Sequence, residues 1–377
     1  MQGFLYMNEI VYFDAAASFL KPESVIQVQA DFLRSRYANA GRGVCARAAA
    51  VDDMVRNVRH KVAKFINAQE SQVVFVANAT DGLNRVANII TGQPDYNPTA
   101  VCAVSNLDHH SARLPWQELL TKGKIAKIIE CELDGDFNIK IDSIPKTDIL
   151  VVTAMSNVLG VAQDVDAIVR VARSKNPNVI VIVDATQYVV HQQIDVRAWD
   201  ADFVVFSGHK IGADTGVGIL YIRDSEKYSP DKFGGGMVSR ISGNNVILQS
   251  APEKWEAGTL PLTQICGLSV ALDELEKNRP DLELIKYMYD ELKKNPRIKI
   301  LTSRESAVLS FIVDGIHVLD FGALVGANGI CLRVGNMCAS WIHQVLGTDG
   351  SIRVSVGPWN TFADADKFIS IVNKIVK

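Results

Sequence analysis

Apolar residues recur along the chain in two patterns that together predict a large α/β unit. Between residues 51 and 66, Val51, Val55, Val58 and Val62 follow one another at steps of three and four residues, with charged residues in the gaps. This spacing places the apolar side chains on one face, so it predicts an amphipathic helix. Short apolar runs rich in β-branched residues predict strands at Val73–Val76, Ile149–Thr153, residues 179–183, residues 203–206 and Gly218–Ile222.

The predicted strands lack the alternation of apolar and polar residues that marks a strand with one exposed face. Near-continuous apolar strands are typical of a parallel sheet that is covered by helices on both faces. Helical or turn-rich segments separate most of these runs, as such a sheet requires. The pattern therefore predicts an α/β fold with a mainly parallel sheet.

The character of the chain changes after about residue 264. A charged helical stretch, ALDELEKNRPDLELIKYMYDELKK, is followed by two strand-like segments, VLSFIV and SIRVSV, and then by the amphipathic segment FADADKFISIVNKIVK. Such a mixture indicates a second, smaller α+β unit with a sheet of its own. We predict a large domain over residues 21–264 and a small domain in which residues 1–20 pack with residues 265–377.

Composition and charge exclude several classes of function. The chain has 377 residues, of which 48% are hydrophobic, and its 39 basic and 42 acidic residues nearly cancel. This balance offers no broad electrostatic attraction for nucleic acid or for an anionic membrane. The apolar runs are too short to span a bilayer, and the first twenty residues carry no basic leader. Because the six cysteines form no C-x-x-C pair, we expect reduced thiols and a cytoplasmic location.

Polar residues follow four of the predicted strands directly. In open parallel sheets, ligands bind beyond the carboxyl ends of the strands. Each group alone has a structural explanation as a helix cap, a turn or a solvated charge. Four groups at corresponding strand ends instead indicate one shared site, formed by residues 78–81, 156–157, 184–187 and 207–210.

The chemistry of these residues favours pyridoxal phosphate over other cofactors. The amine of Lys210 can form a Schiff base with an aldehyde, and a carboxylate such as Asp184 can keep a pyridine nitrogen protonated. The GADTGVG segment lacks the lysine of a P-loop, and no G-x-G-x-x-G motif opens a helix. The His109-His110 pair has no third ligand at a suitable spacing, so no metal site is predicted.

The phosphate of such a cofactor has candidate donors in the same groups. A helix is predicted to begin at Ala79 and Thr80, and backbone N–H groups at the start of a helix bind anions. Ser207 and His209 could add two further donors. The sequence thus supplies partners for the aldehyde, the ring and the phosphate.

The chain resembles a cysteine desulfurase of the class V aminotransferase family, in particular its SUF-type branch. Eight segments match family blocks in the family's order, over nearly the whole chain: YFDAAASFLKP, FVANATDGLNRVAN, SNVLG, VDATQYVVHQQIDV, DFVVFSGHK, FGGGMV, KWEAGT and SIRVSVGPWNT. The resemblance implies the fold of PLP-dependent transferases of fold type I, with a mainly parallel large domain and a smaller α+β C-terminal domain. It also implies pyridoxal 5'-phosphate as cofactor.

The resemblance further implies a role for each matching residue near the cofactor. Lys210 would bind the cofactor covalently and move protons, and Asp184 would face the pyridine nitrogen. His109 would stack on the ring and assist proton transfer, with His110 as the alternative. Gln187 and Asn157 would contact the ring hydroxyl and the substrate, and Ala79 lies at the phosphate. The implied phosphate ligands are Thr80, Ser207, His209 and, from the neighbouring subunit of a homodimer, Thr259.

The substrate carboxylate requires a cation that can form two parallel hydrogen bonds, as a guanidinium does. Arg353 in SIRVSV matches the family position for this role. The alternative explanation for Arg353 is an exposed arginine on an edge strand. Arg42 and Arg333 match family arginines near the opening of the active site and are expected to help position the substrate.

Cys338 distinguishes between the activities that this fold supports. A reactive thiol near the substrate could take up its sulfur as a persulfide, whereas a buried cysteine would be inert. The branch usually has R-x-G-H-H-C-A at this point, and here the segment reads RVGNMCA. Asn336 and Met337 therefore replace two histidines, and the following SWIHQVLG also differs from the usual continuation.

The resulting hypothesis is a PLP-dependent cysteine desulfurase that converts L-cysteine to L-alanine. Sulfur would be held as a persulfide on Cys338 and passed to a sulfur-acceptor protein for iron–sulfur cluster or other thio-cofactor assembly. The alternative is a C–S lyase, a selenocysteine lyase, or a class V aminotransferase or epimerase in which Cys338 is not catalytic. A binding protein that has lost its cofactor is a third possibility.

Overall fold

The computed structural model describes residues 10–41 and 43–377. The strands are β1 (Val11–Tyr12), β2 (Val73–Val76), β3 (Val101–Ser105), β4 (Lys127–Cys131), β5 (Ile149–Thr153), β6 (Ile180–Asp184), β7 (Phe203–Ser207), β8 (Gly218–Ile222), β9 (Val238–Ser242), β10 (Asn245–Leu248), β11 (Ile298–Ile300), β12 (Leu309–Val313), β13 (Ile330–Cys331), β14 (Arg333–Gly335) and β15 (Ser351–Val354). The helices are α1 (Glu23–Asp31), α2 (Ala46–Phe65), α3 (Ala79–Thr91), α4 (His110–Thr121), α5 (Val165–Lys175), α6 (Tyr188–His191), α7 (Leu262–Lys277), α8 (Glu283–Leu292), α9 (Val318–Ala327), α10 (Ser340–Leu346) and α11 (Phe362–Ile375). Within the described ranges, no helix is both long and apolar enough to cross a membrane.

The large sheet has seven strands in the order β2-β8-β7-β6-β5-β3-β4. All neighbours are parallel except those of β8, which runs antiparallel to both β2 and β7. The predicted α/β fold with a mainly parallel sheet is confirmed. Since parallel strands end at the same edge, the turns after β5, β6 and β7 lie side by side.

Both faces of the large sheet are buried, which explains the continuous apolar runs. Along β7, Val204 and Phe206 point into the core on one face, and Phe203 and Val205 point into the core on the other. All four side chains are at most 1% exposed. Burying such a side chain contributes about 1.5–3 kcal/mol each, so the sheet provides a rigid platform for the turns at its edge.

Helix N-termini lie at the same edge as these turns. Asn78 caps α3, where its side chain accepts a hydrogen bond of 2.9 Å from the N–H of Asp81. His109 caps α4, where its Nδ1 accepts from the N–H of Ser111 at 3.2 Å. The turns after β2 and β3 therefore join those after β5, β6 and β7.

Helix α7 lies across the predicted domain boundary at residue 264. Its apolar side chains, including Ile265, Leu268 and Leu272, pack in the same core as α1 and α2. The charged helical stretch that was predicted after residue 264 contributes to two helices, α7 and α8. A break that contains Pro280 separates them. The domain division stays a prediction, and the packing of α7 favours a boundary after residue 277.

A smaller antiparallel sheet has the strand order β11-β12-β15-β14. Helices α8, α9 and α11 pack around it, and Val11 and Phe13 from the start of the described chain enter the same core. Strand β1 also pairs in parallel with β13. The segment after Phe13 then passes from this core to the edge of the large sheet.

Candidate active site

A cavity of about 320 Å³ lies at the carboxyl edge of the large sheet, where the small sheet approaches it. Turns from five strands of the large sheet, the N-terminal segment and strands β14 and β15 all contribute to its wall. The predicted site residues on this wall are Ala79, Thr80, His109, Asn157, Asp184, Gln187, Ser207, His209, Lys210, Arg333, Cys338 and Arg353.

Two predicted residues are not on the cavity wall. Thr259 lines a separate groove of about 760 Å³, together with Gly41 and Gly258. Arg42 lies outside the described residues. The predicted roles of Thr259 and Arg42 therefore stay predictions.

Lys210 follows β7 and places its amine inside the cavity. Its Nζ donates hydrogen bonds to the carbonyl oxygens of Ala16 at 2.6 Å and Ala17 at 2.9 Å. Burial and the nearby guanidinium of Arg353 lower the pKa of Lys210 to about 7, although the Asp184 carboxylate opposes this shift. A large fraction of the amine is therefore uncharged and nucleophilic at neutral pH.

Asp184 ends β6 and is 5% exposed. One of its carboxylate oxygens, Oδ1, accepts a hydrogen bond of 3.0 Å from the N–H of Thr186. Gln187, also buried, donates from Nε2 to the carbonyl of Ala16 at 2.9 Å. The N-terminal segment that holds Lys210 thus also holds Gln187.

Asn157 connects three parts of the cavity wall. Its Nδ2 donates to the carbonyl of Met337 at 2.9 Å, and its own carbonyl accepts from Arg353 Nη1 at 2.7 Å. Its remaining side-chain atom, Oδ1, is buried and has no hydrogen-bond partner among the described residues. Asn157 is therefore fixed in orientation while one acceptor stays available.

Further buried polar atoms around the cavity also lack partners in the described part of the chain. They are the hydroxyl of Thr186 and Nε of Arg353. An unsatisfied buried polar group costs about 1–3 kcal/mol, so such atoms at one cavity are expected to bind a polar ligand. With an amine at Lys210 and a carboxylate at Asp184, this wall fits pyridoxal phosphate.

The start of α3 forms the end of the cavity that suits a phosphate. The N–H of Ala79 donates to Ser207 Oγ at 2.8 Å, which places that hydroxyl beside the first turn of the helix. N–H groups of a first helical turn have no acceptor within the helix and carry partial positive charge. Burial and the charges of Lys210 and Lys21 lower the pKa of His209 to about 4, so its ring is neutral at pH 7.

Of the two neighbouring histidines, only His109 lines the cavity. Its Nδ1 lies 2.7 Å from Ser111 Oγ, and burial lowers the pKa of the ring. His110 instead accepts a hydrogen bond of 3.2 Å from the N–H of Ser340 and packs edge-on against Trp341. The structure favours His109 for the predicted cofactor contact.

In the part of the chain that the structure describes, no three His, Cys, Asp or Glu side chains are grouped to hold a metal ion.

Arg353 is buried, with only 2% of its surface exposed. It lies on β15, between β12 and β14, so the alternative of an exposed arginine on an edge strand is wrong. Desolvation lowers the pKa of Arg353 to about 10, which leaves it charged at neutral pH. A buried guanidinium at this place suits a carboxylate ligand.

Asp14 is a site residue that sequence reasoning missed. It is 6% exposed, and its carboxylate accepts hydrogen bonds from Arg333 Nη2 at 2.6 Å and Arg353 Nη2 at 3.3 Å. The Arg333 side chain, by contrast, is 49% exposed. Nothing in the local pattern of YFDAAASFLKP distinguishes Asp14, because both of its partners are distant in sequence.

Cys338 is exposed and lies in the short loop between β14 and α10. Met337 and Cys338 both have left-handed backbone conformations, with φ of 51° and 55°. The Cys338 N–H donates to Asn336 Oδ1 at 3.1 Å, and its carbonyl accepts from the N–H of His110 at 2.7 Å. Asn336, one of the two residues that replace a histidine, thus supports the conformation of the cysteine.

The segment after Cys338 is anchored on helix α4. The Trp341 ring packs under the guanidinium of Arg113, whose central carbon lies 4.2 Å from the ring centroid. His343 is buried, and its Nδ1 lies 2.9 Å from the carbonyl of Ala339. The unusual SWIHQVLG continuation therefore holds the cysteine loop in one position.

The chain is similar to known proteins over nearly its whole length. The family model for Aminotransferase class-V matches residues 11–368. A cysteine desulfurase of Wigglesworthia glossinidia brevipalpis is 31% identical over 98% of this chain and 93% of its own length. A probable cysteine desulfurase of Vibrio cholerae is 31% identical over 100% of this chain and 96% of its own length.

Solved structures agree with the sequence comparison. The apo structure of a cysteine desulfurase from Thermococcus onnurineus NA1 has a TM-score of 0.92 at 29% identity and covers 98% of this chain and 95% of its own. The cysteine desulfurase CsdA of Escherichia coli has a TM-score of 0.90 at 32% identity and covers 99% of this chain and 96% of its own.

Proposed function

The chain belongs to the class V aminotransferase family, and on this premise we propose that it is a PLP-dependent cysteine desulfurase converting L-cysteine to L-alanine. Its fold is that of PLP-dependent transferases of fold type I. The observation that carries the proposal is that Lys210 and Cys338 line the same cavity. A lysine alone would serve many reactions of amino acids, whereas an exposed thiol on the same wall can take up sulfur.

Residues already in place would hold the cofactor. Lys210 would provide the amine that binds its aldehyde, Asp184 would pair with its pyridine nitrogen, and the first turn of α3 with Ser207 would bind its phosphate. When bound, pyridoxal phosphate supplies an electron-accepting ring that weakens bonds at the substrate's carbon atoms. Asn157, whose Oδ1 has no hydrogen-bond partner among the described residues, and Gln187 would contact the ring.

Lys210 and His109 supply the proton-transfer groups. An amine whose pKa is about 7 can both accept and donate a proton near neutral pH, which is the range where general acid–base catalysis is most effective. The His109 ring, whose pKa is lowered by burial, is neutral at pH 7 and can stack on a planar ligand. Both groups line the cavity.

Arg353 binds the substrate carboxylate in this proposal, with Arg333 at the opening. Its guanidinium is fixed by Asn157 and Asp14, and its Nε–H has no partner among the residues that the structure describes. Cys338 lies on the wall of the same cavity as Arg353. An α-amino acid with a sulfur atom in its side chain would suit both Arg353 and Cys338.

Cys338 accepts the sulfur. Its thiolate forms a sulfur–sulfur bond as the substrate's carbon–sulfur bond breaks, and the electron pair of that bond stays with the amino acid, which becomes alanine on protonation. Because Cys338 is exposed, its persulfide can meet a sulfur-acceptor protein that serves iron–sulfur cluster or other thio-cofactor assembly. Thr259, in its separate groove, would complete the phosphate site of a second subunit in a homodimer.

The products formed from L-cysteine test the proposal. Holoenzyme incubated with L-cysteine and a thiol reductant is expected to release alanine and sulfide in equal amounts. Cys338→Ala should lose this turnover, because no other thiol lines the cavity. Cys331→Ala, which removes an exposed thiol that is not on the wall, should keep it. Pyruvate and ammonia in place of alanine, or undiminished turnover by Cys338→Ala, would instead indicate a lyase or a related enzyme.

A further inference from the structure

The carboxylate of Asp14 bridges two arginines of the cavity wall that come from different strands. Its Oδ2 accepts from Arg333 Nη2 at 2.6 Å, and its Oδ1 accepts from Arg353 Nη2 at 3.3 Å and from Arg333 Nε at 3.4 Å. Arg333 lies on β14 and Arg353 on the adjacent β15, where the two residues are directly paired. Two like charges at paired positions repel, so the carboxylate between them permits this arrangement.

Asp14 also determines which edge of the Arg353 guanidinium remains available. Nη1 donates to the carbonyl of Asn157 and Nη2 donates to Asp14, and these two contacts fix the plane of the group. Nε is buried without a partner among the described residues. The guanidinium is therefore held at two corners while its third nitrogen has an unused hydrogen.

Arg333 depends on Asp14 in a different way. Half of its side chain is exposed, and a long exposed side chain has many conformations of similar energy. The bridge to Asp14 selects the conformation in which Arg333 lies on the cavity wall. Without it, the guanidinium would be able to move into solvent.

We propose that Asp14 is a positioning residue, which orients Arg353 and Arg333 for the carboxylate of the amino-acid substrate. This inference rests on the proposed function, in which Arg353 binds that carboxylate. For the strength of anion binding, this inference predicts a change opposite to the one that net charge alone predicts. Removing a negative charge beside an anion site should strengthen anion binding by simple electrostatics, whereas loss of positioning should weaken it.

Titration of the holoenzyme with L-alanine separates these two effects. L-Alanine carries the α-carboxylate and the amine but no sulfur, so its binding reports on recognition of these two groups without the sulfur-transfer step, and it is followed by the absorbance of bound pyridoxal phosphate. In Asp14→Ala the dissociation constant is expected to rise about tenfold or more, which corresponds to the loss of one charge-assisted hydrogen bond. Asp14→Asn, which keeps one carbonyl oxygen, should show a smaller rise.

Asp231→Ala and Asp231→Asn are the matched controls. Asp231 pairs with Arg85 in another buried ion pair, and neither residue lines the cavity. These variants therefore leave a buried arginine without its carboxylate partner, although Arg85 still donates to the carbonyl of Trp255, and they do not alter the cavity wall. The inference is supported if the dissociation constant for L-alanine rises more in each Asp14 variant than in the matching Asp231 variant. A rise in the dissociation constant no larger than that of the control, or tighter binding of L-alanine, overturns the inference. Where Asp14→Ala does not fold, the two Asn variants decide.

Kinetics with L-cysteine provide a second readout. An interaction that binds the substrate equally in the ground and transition states affects KM more than kcat. Asp14→Ala should therefore raise KM for L-cysteine by about the factor seen with L-alanine, with kcat much less affected. A wild-type holoenzyme that binds L-alanine but forms none from L-cysteine would refute the proposed function and leave the Asp14 comparison valid. A fall in kcat at constant KM would overturn the inference alone.

Discussion

At the scale of single residues, the protonation of Lys210 is set by its surroundings in the folded chain. The amine is buried beside the guanidinium of Arg353, and both effects favour its uncharged form. The carboxylates of Asp14 and Asp184 act in the opposite direction but do not cancel the shift. A pKa of about 7, against an ordinary value of 10.5, follows from this balance.

The rate at which pyridoxal phosphate attaches to the cofactor-free chain should depend on this pKa. Only the uncharged amine attacks the aldehyde, so the rate should rise with pH and level off above about pH 7. Arg353→Gln should move the midpoint to higher pH, because the guanidinium no longer disfavours the ammonium form. Stopped-flow absorbance measures both profiles. A rate that keeps rising towards pH 10 in the wild-type chain would contradict this account.

The residues that sequence reasoning could locate are those that follow strands. Lys210 and Asp184 come directly after apolar runs, and a parallel sheet brings all such ends together. Asp14 could not be found in this way, since its contact with Arg353 joins residues 339 positions apart. Sequence could not show that His110 lies away from the cavity, because this depends on the direction of the backbone at the start of α4.

At the scale of elements, the two strands of the large sheet that were missed differ from the predicted strands in their position or their composition. Each predicted strand of the large sheet lies inside it or pairs with β8, and is almost wholly buried. Strand β4 is at the sheet edge and contains Lys127 and Glu130, so it shows no continuous apolar run. Strand β3, with the sequence VCAVS, is as buried as the predicted strands but is rich in small residues. Composition alone gives little indication of either.

The loop after β5 depends on a single glycine. Gly160 has φ of 62°, and a Cβ built there would lie 2.6 Å from the backbone nitrogen of Val308 and 2.8 Å from that of Ala307. Its carbonyl also accepts a hydrogen bond of 3.1 Å from Ala307. The loop that carries Asn157 is thereby seated against the segment leading into β12.

Gly160→Ala is expected to destabilise the protein by about 2–4 kcal/mol, from left-handed strain and backbone overlap together. Gly123 is the matched control, since its φ is 65° but nothing lies within 4 Å of an added Cβ. Gly123→Ala should cost only the strain, about 1 kcal/mol. Urea unfolding compares the two free energies of unfolding. Equal losses in both variants would show that the close approach at Gly160 has no energetic consequence.

At the scale of the whole molecule, the cavity exists only because two sheets and the N-terminal segment meet. Phe13 anchors that segment in the core of the small sheet, and Ala16 and Ala17 then reach Lys210 beside the large sheet. Sequence patterns predict both sheets separately, but they contain no information on how the sheets face each other. The family resemblance implies how the two sheets are arranged, whereas spacing and periodicity do not.

The groove that contains Thr259 predicts a second subunit. It is larger than the cavity, at about 760 Å³, and Thr259 is a predicted phosphate ligand that does not reach the cavity of its own chain. Sedimentation equilibrium should give a mass of about twice the 41.3 kDa of one chain. A holoenzyme that is active and sediments as a monomer would contradict both the homodimer and the role of Thr259.

The location of the sulfur atom tests the central claim most directly. Holoenzyme is mixed with a single equivalent of L-cysteine without reductant, quenched by alkylation and digested, and its peptides are weighed by mass spectrometry. The account predicts a mass increase of one sulfur atom on the peptide with Cys338, in step with alanine formed, and no increase in Lys210→Ala. Alanine formed with Cys338 unmodified, or with the added sulfur on Cys331 or Cys45, would contradict it.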